Sequence, residues 1–301
     1  MSKKSLYVLG ILLIIAISTF FHQRQCCCEC NKADSSKNVE SNEQETLVRN
    51  GFAVSGDAGD GLDLKVQDNY NFNESSDKIL EPLSADVTTS VGKVKSYMDA
   101  NPDQQLTIVG HYKSSETNSS AYPDLGMARA NAVKNSMVAQ GVAVKSIFTK
   151  SQLDEDFSEE NGVLYGPVSF AMSVTSAQST DWDSLKKELQ ANPLVLYFNT
   201  GQASINLTSE QRQKVANLSN YLDHVDGAKC LVIGHTDNKG SRATNVSLGM
   251  NRAQFARDYL VNNGIDQTKV VASSKGPDEP TADNTTEDGR AKNRRTVVTL
   301  K

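Results

Sequence analysis

Thiols are nearly missing from the bulk of this 301-residue chain: four of its five cysteines are Cys26, Cys27, Cys28 and Cys30, which leaves Cys230 alone in the remainder. No disulfide framework supports the fold, which must rest on a buried core. An excess of positive charge is missing too. Thirty-one Lys and Arg against 36 Asp and Glu give a net charge of -5, which leaves no electrostatic case for a nucleic-acid partner. The chain also lacks a Gly-x-Ser-x-Gly elbow and a metal-type histidine pair, the simplest marks of a hydrolase or a zinc site. A hydrolase built on His235, Asp237 and a nearby serine is the weaker alternative for want of such an elbow or histidine pair. No catalytic residue, metal or cofactor is expected.

One long apolar run, Leu6 to Phe21, follows Lys3 and Lys4. At about 17 residues it sits at the lower limit for spanning a bilayer. A cleaved signal peptide has the same profile, but Ala16-Ile17-Ser18 is a poor cleavage site, so an uncleaved anchor leads. Two lysines before the run against the single Arg24 after it leave the N-terminus cytoplasmic and the rest outside. The run holds no Asp, Glu, His, Lys or Arg, which argues against an ion-driven motor. Gln23, Arg24 and Gln25 lack the small and apolar residues of a lipoprotein cleavage site before Cys26, and the cysteine spacing does not fit tetrahedral zinc. The cluster reads as juxtamembrane thiols. From Asn31 to Thr46 the chain is Ser, Asn, Glu and Lys, a tether spanning about 20 to 25 Å on average.

The globular part is organised around residues 229 to 260. Cys230 to Ile233 is a short β-branched run closed by Gly234 and by the turn formers Asp237, Asn238 and Gly240, which predicts strand, turn, then helix. In the helix, Gly249, Ala253, Ala256 and Leu260 form a narrow apolar stripe whose small residues permit close packing on a sheet. Asn245 and Arg252 lie about two turns apart and share a neighbouring face if the helix reaches back to Asn245. A carboxylate, an amide and a guanidinium then surround one loop mouth. Such a set suits a ligand bearing an ammonium and a carboxylate on one carbon, with Asp237 accepting from the first and Arg252 donating to the second.

Gly-His-Thr-Asp-x-x-Gly, then Asn-x-x-Leu-x-x-x-Arg-Ala, then Gly289-Arg290-Ala291-Lys292-Asn293-Arg294-Arg295 resembles the C-terminal peptidoglycan-binding domain of the OmpA and MotB proteins, over about residues 190 to 301. The resemblance implies a site for the diaminopimelate of peptidoglycan stem peptides at Asp237 and Arg252, with Asn245 lining it and Thr236 on the same loop. Two positions depart from the family pattern. Leu248-Gly249 replaces the common Leu-Ser, and Asn199 stands where an aspartate is often found.

The unit is duplicated at an offset of about 124 residues. Leu106 to His111 parallels Leu231 to His235, Leu125-Gly-Met-Ala-Arg129-Ala130 parallels Leu248-Gly-Met-Asn-Arg252-Ala253, and Asn71-Phe72-Asn73 parallels Tyr197-Phe198-Asn199. The copies differ where the chemistry would be: Lys113 stands at the position of Asp237, and Tyr122 and Pro123 fall near that of Asn245. His111 and His235 persist in both copies, so the histidine serves the fold. Arg294 and Arg295, at the start of the last strand, read as structural ion-pair groups.

The expected fold class is α+β. It comprises an anchor at 1–25, the cysteine cluster and linker at 26–49, a degenerate copy at 50–176 and a ligand-binding copy at 177–301. Each copy is a sandwich of a mixed sheet with helices on one face. In the second copy, strands are expected at Leu194 to Phe198, Lys269 to Ser273 and Thr296 to Leu300, a helix at Ser209 to Val225, and a long loop at Gly276 to Asn293 that ends in a short helical turn and forms one wall of the pocket. The expected function is membrane-anchored, noncatalytic binding of peptidoglycan, linking the envelope membrane to the cell wall with its domains in the periplasm. A second reading has the first copy dock an envelope protein partner.

Overall fold

A computed structural model describes residues 50–56, 61–174, 180–197 and 205–301. The expected anchor, the Cys26–Cys30 cluster, the linker, the boundary at 176 and Asn199 lie outside the described residues. No helix among the described residues is long and apolar enough to cross a membrane.

The fold is a mixed α+β arrangement in which one run of elements recurs. In the first half, a hairpin of β1 (Ala53–Ser55) and β2 (Asp63–Lys65) precedes β3 (Phe72–Asn73) and helix α1 (Ala85–Ala100). Strand β4 (Gln104–Tyr112), helix α2 (Leu125–Ala139) and strand β5 (Ile147–Leu153) follow. The short strands β6 (Glu159–Glu160) and β7 (Val163–Leu164) then lead to β8 (Val168–Val174). Strand β4 is central, parallel to β5 and antiparallel to β8.

The second half opens with helix α3 (Trp182–Ala191), strand β9 (Leu194–Tyr197) and helix α4 (Ser209–His224). Strand β10 (Cys230–His235), helix α5 (Arg242–Asn262), strand β11 (Val270–Gly276), helix α6 (Glu287–Asn293) and strand β12 (Arg295–Leu300) complete it. The sheet runs β11-β10-β12-β9, with β10 parallel to β11 and antiparallel to β12.

Local chemistry accounts for these boundaries. Helix α4 starts at a full capping box in which the Thr208 hydroxyl accepts from Gln211 N and the Gln211 side chain accepts from Thr208 N at 2.8 Å. Ser241 caps α5 by accepting from Thr244 N at 3.1 Å, so this helix does reach back past Asn245. Strand β11 runs on to Gly276, three residues beyond the expected end. The helical turn expected at the end of the long loop is the seven-residue helix α6, capped by Thr286. Helix α3 was not anticipated, although Trp182, Leu185 and Leu189 recur at helical steps and pack on the second core.

Two hydrophobic clusters organise the halves. One gathers Leu106 and Ile108 of β4 with Val91, Val94, Val133 and Met137. The other gathers Cys230 and Val232 of β10 with Val215, Leu218, Leu222, Ala253, Ala256 and Leu260. The core-facing residues alternate along each central strand, as the two-residue period of a strand requires, and each buried Leu or Val contributes about 1.5 to 3 kcal/mol. At the end of each stripe, helix and strand meet through glycine. A Cβ on Gly234 would lie 1.8 Å from Gly249 O, and one on Gly110 would lie 1.9 Å from Gly126 O.

The halves also touch through specific polar groups. Lys134, almost fully buried, pairs with Asp223 and donates to Asn131 Oδ1 at 2.8 Å. Asn263 Oδ1 accepts from Ala121 N at 2.8 Å, and Asn135 Nδ2 donates to Gly264 O at 2.9 Å. His224 stacks between Phe148 and Trp182, with ring centres 4.5 and 5.0 Å away. Tyr122 turns its hydroxyl to Ser219 at 3.3 Å, so it belongs to this seam.

Two outcomes follow from this packing. Gly234→Ala should destabilise the protein by about 2 kcal/mol, since the helix must lift off the strand to admit a methyl group; denaturant unfolding measures it. Lys134→Ala should cost about 3 kcal/mol by leaving Asp223 unpaired at the seam, whereas Lys145→Ala, at the exposed pair with Asp226, should change little.

Candidate functional site

The site begins where β10 ends. The parallel register with β11 slips between Gly234 and His235, so His235 faces Gly276 rather than the next residue in line. Thr236 N then donates to Gly276 O at 2.9 Å, which turns the chain out of the sheet. Thr236 is buried and its hydroxyl donates to Asp237 O at 2.9 Å. Asp237 Oδ1 accepts from Lys239 N at 3.1 Å, an Asx turn that holds the carboxylate at the loop mouth. Gly240 takes a φ of 94°, and Asn245, buried in the first turns of α5, donates Nδ2 to Lys239 O at 3.0 Å. Thr236 and Asn245 are thus the pins of the loop that presents Asp237.

Arg252, two turns beyond Asn245 on α5, donates Nη1 to His235 O at 3.2 Å. Its guanidinium is half-buried. Loss of water lowers its pKa, nearby Asp237 raises it, and nearby Arg294 lowers it. Asp237 and Arg252 therefore sit within electrostatic reach of each other on one side of the loop.

The direct partner of Asp237 is Arg294, whose Nη1 donates to Oδ2 at 3.0 Å; the two side chains keep 15% and 16% of their surface exposed. Arg294 Nη2 in turn donates to Glu287 Oε1 at 2.8 Å, and Arg290 forks onto Glu287 Oε2 at 2.9 and 2.7 Å. Loop 277–286 is tied down by fully buried Asn293, whose Oδ1 accepts from Thr281 N and Ala282 N at 2.8 and 3.0 Å. Beside these charges lies an open depression of about 490 Å³ lined by Asn238, Lys239, Pro280, Asp283, Asn284 and Arg290. Sequence reasoning treated Arg294 as a structural group and did not connect it to Asp237. The available signal was the spacing of Glu287, Arg290 and Arg294, which puts three charges on adjoining faces of one short helix end.

His235 is buried beside this loop. Burial and then the charge of Arg295 push its pKa down to about 4. Among the described residues no group of three or more His, Cys, Asp or Glu side chains gathers to hold a metal.

A mixed sheet whose central strand opens into a charged loop, with a helix packed close through glycine, defines the architecture of the second half. The profile of the OmpA family matches residues 69–163 and 197–294, and the chain belongs to that family. A peptidoglycan-associated lipoprotein of Buchnera aphidicola is 29% identical over 116 residues, covering 38% of this chain and 65% of that protein. The peptidoglycan-binding protein ArfA of Mycobacterium bovis is 31% identical over 125 residues, covering 42% of this chain and 37% of ArfA. The crystal structure of the peptidoglycan-associated lipoprotein from Burkholderia pseudomallei is similar over 36% of this chain and 89% of that one, at 26% identity and a TM-score of 0.32. The match thus spans less than two thirds of the length of the two sequence relatives.

The pKa of His235 makes stability depend on pH in one direction. Unfolded, a histidine binds its proton near pH 6.5; folded, His235 refuses it down to about pH 4. Its contribution is complete above pH 6.5 and is lost as the pH falls toward 4. In thermal melts, His235→Gln should therefore show a shallower fall in melting temperature over that interval than the unaltered protein.

Proposed function

We propose that the protein is a membrane-anchored, noncatalytic peptidoglycan-binding protein that links the envelope membrane to the cell wall by holding the diaminopimelate of stem peptides. The observation that carries this reading is the convergence of a part-exposed carboxylate, Asp237, and a half-buried guanidinium, Arg252, at one loop mouth. In this reading Asp237 accepts from the ligand's ammonium while Arg252 donates to its carboxylate. Thr236 and Asn245 hold the loop in the shape that makes both available. Arg294 keeps Asp237 oriented until the ligand arrives, and a carboxylate has lone pairs enough to serve both. The family and the names of the relatives support binding to peptidoglycan. The profile matches at 69–163 and 197–294 support a reading as two tandem copies, at 50–176 and 177–301, and Asp237 in the second against Lys113 in the first favours the second as the one that carries the ligand.

Charge-assisted hydrogen bonds contribute about 1.5 to 3 kcal/mol each. Two or three of them, set against the cost of association, imply a Kd of roughly micromolar to millimolar. An anchor beside a repeating polymer raises occupancy without further contacts. No bond is made or broken in this account.

Asp237→Ala and Arg252→Ala should each abolish co-sedimentation with diaminopimelate-type peptidoglycan, and lysine-type peptidoglycan, which lacks the second carboxylate, should be bound weakly by the unaltered protein. Sedimentation of both variants at the unaltered level would place the binding site elsewhere. Deleting residues 1–25 should move the protein from the membrane pellet to the soluble fraction.

A further inference from the structure

The first half contains a carboxylate site that is already filled. Arg129, at the position equivalent to Arg252, makes the same anchoring contact: its Nη1 donates to His111 O at 3.0 Å, as Arg252 Nη1 donates to His235 O at 3.2 Å. There the likeness ends. Arg252 is half-buried, and among the described residues its guanidinium makes that one hydrogen bond. The Arg129 side chain is wholly buried, and every nitrogen of its guanidinium is engaged: Nε donates to Ser76 O at 3.0 Å, while Nη1 (at 2.9 Å) and Nη2 both donate to the carboxylate of Glu116.

Glu116 is held as a bound ligand would be. Its Oε2 accepts from Lys113 N at 2.9 Å as well as from Arg129, and its Oε1 accepts from Ser75 N at 2.9 Å. Two backbone donors and a two-pronged guanidinium thus converge on one carboxylate that is 1% exposed. Burial opposes its charge, but Arg129 and the two N–H groups overcome that and hold its carboxyl below the usual range. The ring of Phe72 backs the guanidinium at 5.6 Å. Lys113, which stands where Asp237 stands, carries the wrong charge to receive an ammonium and pairs with Glu159 at 3.3 Å. What persists from the second half is the carboxylate-binding side of the arrangement alone.

We propose that Glu116 is a built-in ligand: it occupies a carboxylate-binding site formed by Arg129 and the backbone N–H groups of Lys113 and Ser75, and so closes the first half to any carboxylate from outside. The equivalence of this site to the one around Arg252 rests on the peptidoglycan reading; the site itself rests on the contacts of Glu116. Emptied, it takes a small monocarboxylate and has no preference for an amino acid.

The test uses Glu116→Ala in the full chain. This change removes one methylene and the carboxylate, which together make the volume of acetate. Its melting temperature should fall, and acetate should restore most of the loss saturably, as binding to the folded state alone requires, while chloride at the same ionic strength does not. The unaltered protein should not respond to acetate, and neither should Glu116→Gln, whose amide refills the space. In Glu116→Ala combined with Asp237→Ala, diaminopimelate should stabilise no more than acetate. Equal effects of acetate and chloride would reduce Glu116 to an ordinary ion-pair partner and overturn the proposal. So would a Glu116→Ala protein that stays unfolded in saturating acetate, or an acetate response in Glu116→Gln. Peptidoglycan sedimentation through Asp237 and Arg252 is a separate readout, so failure of either reading leaves the other standing.

Discussion

Helix α5 can lie on strand β10 only because neither backbone carries a side chain where they cross. With Gly234 against Gly249, the helix axis drops close enough for Arg252, one turn further on, to reach the carbonyl of His235 from below. A methyl group at either glycine would push the helix outward by an amount comparable to that hydrogen bond's tolerance. Gly110 and Gly126 repeat the same solution in the first half, and Arg129 reaches His111 by the same route.

From that shared geometry the halves diverge by charge. In the second, the guanidinium shares its space with Asp237 and Arg294 and stays half-buried, so the loop mouth holds charges of both signs at a partly exposed surface. In the first, a glutamate three residues past Lys113 folds back and neutralises the arginine from within. Burying such a pair is tolerable only because each remaining donor and acceptor is met, which the backbone N–H groups of Ser75 and Lys113 and the carbonyls of Ser76 and His111 accomplish. The seam between the halves, with Lys134 on Asp223 and His224 between two aromatic rings, uses faces that an isolated copy would leave to solvent.

Much of the second half was legible in its residues. Thr208 and Gln211 announce the start of α4, and the run from Cys230 to Ile233 followed by Asp237, Asn238 and Gly240 announces the strand and its exit, because caps, turns and alternation are local properties. Helix α3 is equally legible in the helical spacing of Trp182, Leu185 and Leu189. The placement of Asp237 and Arg252 at one loop mouth could be anticipated from the helical repeat and from the family resemblance. The attachment of Arg294 to Asp237 could not be read this way, since it joins positions 57 apart through the path of loop 277–286, which is set by Asn293.

Residue order alone determined the strands and helices that frame the loop mouth of the second half, and that Lys113 stands at the position aligning with Asp237. Those facts depend on neighbours within a turn or a strand, or on direct comparison of the two copies. Only the tertiary structure decided where each carboxylate is directed: Asp237 toward Arg294 at a partly open mouth, and Glu116 inward onto Arg129. Ion pairing in a folded chain depends on which distant backbone groups share the desolvated space, and that is settled when the sheets and helices close on one another.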